Sequence, residues 1–141
     1  MGVRVSRAGA WSVGGLPIRH QPSLRLLKSR LRFSDHGAFL MDGPVRLLVR
    51  VEGPPFEVAH FHLDPELGEA LAVLDDGSEE RLTDASLGMD AGTGRFVCRV
   101  RDGLADALLS RTAHQTLLEH VEEENGRFVL AVGTRRLPVR T

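Results

Sequence analysis

Turn-forming residues recur at short intervals along this chain, and that spacing limits what it can fold into. Gly14-Gly15, Ser34-Asp35-His36-Gly37, Asp42-Gly43-Pro44, Gly53-Pro54-Pro55, Asp75-Asp76-Gly77-Ser78, Asp90-Ala91-Gly92-Thr93-Gly94 and Asn125-Gly126 each interrupt a short apolar stretch. Gly and Asn supply positive backbone angles at no steric cost, and Pro cannot donate to a strand ladder. The segments between these turns alternate between apolar and polar residues, as in Val3-Arg4-Val5, Trp11-Ser12-Val13 and Phe96-Val97-Cys98-Arg99-Val100. This pattern predicts an α+β fold of mostly antiparallel sheets with a few helices.

Two places break the alternation. Leu24, Leu27 and Leu31 follow Pro22 at helical spacing, with Arg25, Lys28 and Arg32 on another side, predicting an amphipathic helix with a basic face. Late in the chain the residues predict a helical pair. It comprises a short piece over 104–109 and a longer helix that starts near Ala113 on a Thr112–Gln115 capping box and is ended by Asn125-Gly126. On this reading Glu122, Glu123 and Glu124 lie near a helix C-terminus, where acids oppose the dipole. His20-Gln21, Leu26-Leu27 and Gly37-Ala38-Phe39-Leu40 are echoed by His114-Gln115, Leu117-Leu118 and Gly126-Arg127-Phe128-Val129-Leu130, which points to two related subdomains. The expected division is 1–54 and 55–141.

With 141 residues, 42% hydrophobic and 26% charged, the chain is large enough to bury a core without staples. It contains no apolar run of membrane-spanning length and no secretory signal, so a cytoplasmic location is expected. Cys98 has no partner cysteine and reads as a small core hydrophobe. The formal net charge of -1 conceals a division: residues 1–50 carry +7, residues 51–94 carry -10 and the remainder +2. Such asymmetry fits internal pairing between two halves or a partner that reads one face.

The familiar catalytic patterns are missing. Gly92-Thr93-Gly94 lacks the third glycine of a dinucleotide fingerprint, and no phosphate-binding loop, nucleophile elbow or zinc-protease helix is present. His60 and His62 share one strand face as metal ligands can, but two ligands do not make a site, and ordinary strand histidines are the simpler reading. The acidic run 75–80 lacks the spaced oxygen ligands of a calcium loop and reads as a solvated hairpin tip. Neither a catalytic residue, a metal nor a cofactor is therefore assigned. Nucleic acid is disfavoured by a sequence pI of about 6.6, a single Trp and no Tyr.

Several segments resemble, in order, the bacterial domain-of-unknown-function family 1285. Gly9-Ala-Trp11-Ser-Val-Gly14-Gly-Leu-Pro17-Ile18 is similar to its Gly-x-Trp and Gly-x-Pro-Ile entry. Val51-Glu52-Gly-Pro-Pro55-Phe56 is similar to its Val-Glu-Asp-Ala-Pro-Phe stretch, and Val100-Arg101-Asp-Gly103-Leu104 to its Val-Arg-x-Gly-Leu segment. The family's Thr-Asn-x-Gly-Asp turn has no counterpart here. The resemblance implies two small α+β subdomains, the second loosely pleckstrin-homology-like, with a ligand site at their interface and a role in signal transduction; it implies no activity. Together with the basic faces it selects Trp11, Arg25, Glu52, Phe56, Arg99 and Arg101 as candidate ligand-binding residues. Their partner would be a small anionic ligand or a protein or peptide. A small-molecule enzyme using His60, His62 or His114 and a charge-paired homo-oligomer are the other readings.

Overall fold

The computed structural model describes residues 2–90 and 93–141; Ala91 and Gly92, in the turn expected over 90–94, lie outside the described residues. Three short strands, β1 (Val3–Val5), β2 (Trp11–Val13) and β3 (Leu16–Pro17), lead into helix α1 (Gln21–Arg30). Strands β4 (Leu31–Ser34), β5 (Gly37–Asp42) and β6 (Val45–Val51) then form a meander. Strand β6 returns beside β1 in parallel, with Val3, Arg4 and Val5 opposite Val49, Arg50 and Val51. The result is a six-stranded sheet of order β3-β2-β1-β6-β5-β4.

The rest of the chain repeats this plan with an addition. Strands β7 (Phe56–Asp64), β8 (Glu69–Leu74), β9 (Glu79–Arg81), β10 (Leu87–Met89), β11 (Phe96–Val100) and β12 (Ala105–Leu109) form a second six-stranded sheet of order β10-β11-β12-β7-β8-β9. Helix α2 (Arg111–His120) and the three-stranded meander β13 (Val121–Glu124), β14 (Arg127–Val132) and β15 (Arg135–Pro138) complete it. Gln21 and Arg111, Leu31 and Val121, Gly37 and Arg127, and Val45 and Arg135 each begin equivalent elements, and each pair stands 90 positions apart. Strand registers repeat with the same offset, Leu31 opposite Leu40 as Val121 is opposite Leu130, and Met41 opposite Arg46 as Ala131 is opposite Arg136. Gly88 bridges Arg140 in parallel much as Arg4 pairs with Arg50, so β10, β11 and β12 stand where β1, β2 and β3 stand in the first unit. The fold is α+β in two related βββαβββ units, with β7–β9 added at the edge of the second.

The echo noted in the sequence is therefore real, but its alignment is different. His20-Gln21 does not correspond to His114-Gln115; Leu27 corresponds to Leu117, Leu40 to Leu130, and Arg46-Leu47 to Arg136-Leu137. Other expectations are also corrected. Residues 104–109 form no helix, because Ala105, Ala107 and Leu109 alternate inward along β12, between β11 and β7, and tertiary pairing overrides Ala/Leu propensity. Helix α2 starts earlier than Ala113: Ser110 is its N-cap and accepts from Ala113 N. Asn125-Gly126 turns the β13–β14 hairpin, so Glu122–Glu124 lie on a strand and not at a helix end. Leu31 belongs to β4, fully buried, where α1 stops.

A single apolar core joins both units, with Val5, Trp11, Leu31 and Leu40 from the first meeting Phe56, Val58, Leu74, Leu82, Cys98, Leu117 and Leu137 from the second. Inward parity on β7 changes at a bulge between Val58 and His60, so both Val58 and Phe61 are buried while His60 and His62 face solvent. The segment joining the units packs tightly: a Cβ on Gly53 would collide with the carbonyl oxygens of Ser6 and Arg7. No helix among the described residues is long and apolar enough to cross a membrane.

Candidate functional site

Arg101 stands at the centre of the junction between the units. Leaving β11, the chain passes through three successive left-handed residues, Arg101 (φ 54°), Asp102 (φ 56°) and Gly103 (φ 82°). An arginine in that region costs about 1–2 kcal/mol. Glu80 compensates, accepting the Arg101 backbone N–H on both carboxylate oxygens at 3.0 and 3.1 Å. The guanidinium donates to Glu80 Oε2 at 2.7 Å and Asp76 Oδ2 at 2.6 Å, and lies 4.7 Å above the Phe56 ring. The Asp76 side chain is only 3% exposed, and its other oxygen accepts from Ser78 N and Oγ.

This network corrects the picture of a solvated acidic tip over 75–80. Asp75 accepts from Lys28 Nζ on α1 and from Glu57 N, so the β8–β9 turn is fastened to both the helix and β7. Part of the charge division along the sequence is thus internal pairing between the basic first unit and the acidic stretch that follows it.

Between α1 and β4 on one side and the turns at 76–78 and 101–104 on the other lies a groove of about 650 Å³, lined by Ser29, Arg32, Phe33, Ser78, Asp102 and Leu104 among others. A smaller depression of about 370 Å³ follows along α1 past Pro22, Leu24, Arg25 and Asp75. Arg25 lies across the turn between them; a Cβ on Gly77 would come within 2.6 Å of its Nη2. Arg25 is exposed and makes no hydrogen bond or ion pair among the described residues. Arg32 donates to the carbonyls of Ser29 and Leu31, at the C-terminus of α1, and makes no ion pair among the described residues. Leu104 is 64% exposed and Phe33 half-buried, so the groove sets Arg32 beside an apolar wall, and Arg25 lies just beyond it across the Gly77 turn.

Of the six candidates from the sequence, Phe56 and Arg101 are in contact, and Arg25 lies over the same turn that holds Arg101. Trp11 is 2% exposed, its indole N–H donating to Pro55 O at 2.9 Å, and belongs to the core behind Phe56. Glu52 and Arg99 are elsewhere. Glu52 pairs with Arg4 and Arg50, and the Arg4 hydrogen bond, aided by the charges of Arg4, Arg50 and Arg7, outweighs desolvation and holds its carboxyl below the usual range. Arg99 faces solvent beside Asp106 at 3.7 Å and does not share a face with Arg101, which has already left the strand. Asp76, Ser78, Glu80 and Leu104 were not among the sequence candidates, although the concentration of acids at 75–80 opposite a basic first unit was a usable signal; Arg32, expected on the basic face of the helix, stands on β4.

The other chemistry-bearing residues do not converge. His60 and His62 point outward from β7, while His114 lies on α2 with its ring 5.6 Å from that of Phe96. No group of three or more His, Cys, Asp or Glu among the described residues could hold a metal ion. Cys98 is fully buried, and desolvation, followed by the charges of Glu80 and Asp106, pushes its thiol up to about 12.

No family model and no curated protein matches this chain. Two solved structures do. A DUF1285 family protein from Silicibacter pomeroyi DSS-3 aligns with a TM-score of 0.74 and 22% identity over 98% of this chain and 79% of that one. A DUF1285 family protein from Shewanella baltica OS155 aligns with a TM-score of 0.58 and 17% identity over 83% of this chain and 90% of that one. The chain has the fold of the DUF1285 proteins, as its sequence segments suggested.

Proposed function

We propose that this protein is a ligand-binding module of a signalling or regulatory kind, and that its site is the groove between the two units. The observation that carries this reading is the conjunction of Arg25, exposed and unpaired, with a strained turn at Arg101–Gly103 held by a buried ion network. Left-handed non-glycine residues persist where surrounding structure over-determines them, and they concentrate at binding sites. The network fixes the groove wall, and Arg25 and Arg32 offer planar donors suited to carboxylate or phosphate. Leu104 and Phe33 supply an apolar surface, so the ligand is a small anion with an apolar portion.

Calorimetric titration with decanoate and with inorganic phosphate tests this. Decanoate is expected to bind more tightly than phosphate. Arg25→Ala should weaken both by about tenfold, the loss of one charge-assisted contact of about 1.4 kcal/mol. Leu104→Ser should weaken decanoate alone. Binding of neither probe, or decanoate affinity unchanged in Arg25→Ala, contradicts the reading.

A further inference from the structure

The two units share one scaffold, so each serves as a control for the other, and their outer sheet faces differ in charge. On β15 Arg136 is neutralised across the meander by Glu124 at 2.9 Å and Glu122 at 3.5 Å. Its counterpart on β6 is Arg46, and the positions corresponding to Glu122 and Glu124 are Arg32 and Ser34. Arg46 therefore has no carboxylate partner among the described residues; it lies 5.0 Å over the Phe39 ring. Arg46, Leu48 and Arg50 alternate onto this outer face, with Met41 opposite Arg46, Phe39 opposite Leu48, and Arg4 opposite Arg50. Helix α1 packs on the other face of the sheet through Leu24 and Leu27. Leu48 is 75% exposed, and among the described residues Glu52 is the one acid bound to this cluster. Two arginines directly opposite in adjacent strands oppose sheet formation, a repulsion that Glu52 offsets for Arg4 and Arg50 but that leaves Arg46 without a carboxylate among the described residues.

We propose that the outer face of the first sheet docks an extended acidic segment of a protein partner, with carboxylates two residues apart and an apolar residue for Leu48. The second unit defines the chemistry, because there the same arginine position takes a Glu-x-Glu strand from its own chain. Single-stranded nucleic acid fits less well, since Phe39, the aromatic ring of this face, is already covered by Arg46 and offers no open stacking platform. A lipid surface fits less well, since one protruding leucine is not an inserting apolar face.

Fluorescence anisotropy with a fluorescein-labelled heptapeptide, Glu-Val-Glu-Leu-Glu-Val-Glu, tests the proposal at low salt, about 50 mM, where screening is weak. The peptide is expected to bind, more weakly as salt rises. Arg46→Glu and Leu48→Ser should each reduce affinity at least about tenfold while leaving thermal unfolding nearly unchanged, as suits exposed positions. Arg25→Ala, beside the groove, should leave peptide binding intact, which separates this surface from the groove site. The proposal is overturned if the peptide does not bind, if Arg46→Glu binds it as well as the parent, if Arg25→Ala abolishes binding, or if a single-stranded oligonucleotide or phosphatidylserine vesicles bind more tightly than the peptide.

Discussion

Arg101 does three things at once: it turns the chain through a left-handed conformation, neutralises the buried Asp76 and covers Phe56. Removing its side chain leaves Asp76 and Glu80 without their cation, and breaking a buried pair from one side costs about 3–5 kcal/mol. Urea denaturation of Arg101→Ala should register a loss of that size, whereas Arg99→Ala, at an exposed pair, should fall within about 0.5 kcal/mol of the parent. Cys98 supports a second prediction. Its thiol is held protonated by burial, so it should not react with an aromatic disulfide reagent at neutral pH until the protein unfolds. Because its folded pKa is raised, the associated stability is complete below the ordinary thiol value and declines as pH climbs from there towards about 12. Unfolding measured over that alkaline window should be less pH-dependent in Cys98→Ala. Glu52 has the opposite sign. Its stabilisation is present above the usual carboxylate range and fades as pH falls through its lowered value, and added salt should shrink it, because the group is exposed.

At the scale of elements, the duplicated helices make a comparison possible within one molecule. Ser110 caps α2 by accepting from Ala113 N and also donates to Ala59 O, while its counterpart His20 makes no side-chain cap on α1. Ser110→Ala should therefore cost about 1–2 kcal/mol, and His20→Ser should gain about 0.5–1 kcal/mol, both read as shifts in urea midpoint. Strands were largely legible in the sequence, because Gly and Asn turns bound them and the period-two alternation in β11 or β2 has no helical alternative. The segment Leu104-Ala105-Asp106-Ala107-Leu108-Leu109 was not, since Ala and Leu favour helix locally and only pairing with β7 and β11 makes it a strand. The repeat was visible only as scattered matches. The two copies share registers and burial more than residue types, and a 90-residue offset emerges only when the strand ends are known.

For the whole molecule, the charge division along the sequence proved the most informative global signal, although it did not say which residues meet. Lys28 with Asp75, and Arg101 with Asp76 and Glu80, bind the β8–β9 turn into the junction, and these pairs join positions 21 to 47 residues apart that no local pattern connects. Of the candidate site, Arg25, Phe56 and Arg101 were accessible to sequence reasoning through their segments. Asp76 and Leu104 were not, because an acidic turn and an exposed leucine acquire meaning only once the two units are placed side by side. Among the described residues, Arg25 and Arg32 beside the groove and Arg46 on the outer sheet face are among the arginines that no carboxylate pairs. Amide chemical shifts of the full chain, followed by NMR during titration with decanoate, locate the contact most directly. The shifts should concentrate at Arg25, Arg32, Phe33, Gly77 and Arg101–Leu104, with the outer face of β6 and the β13–β15 meander unmoved; shifts confined to the meander, or none at saturating ligand, would contradict a binding site in the groove.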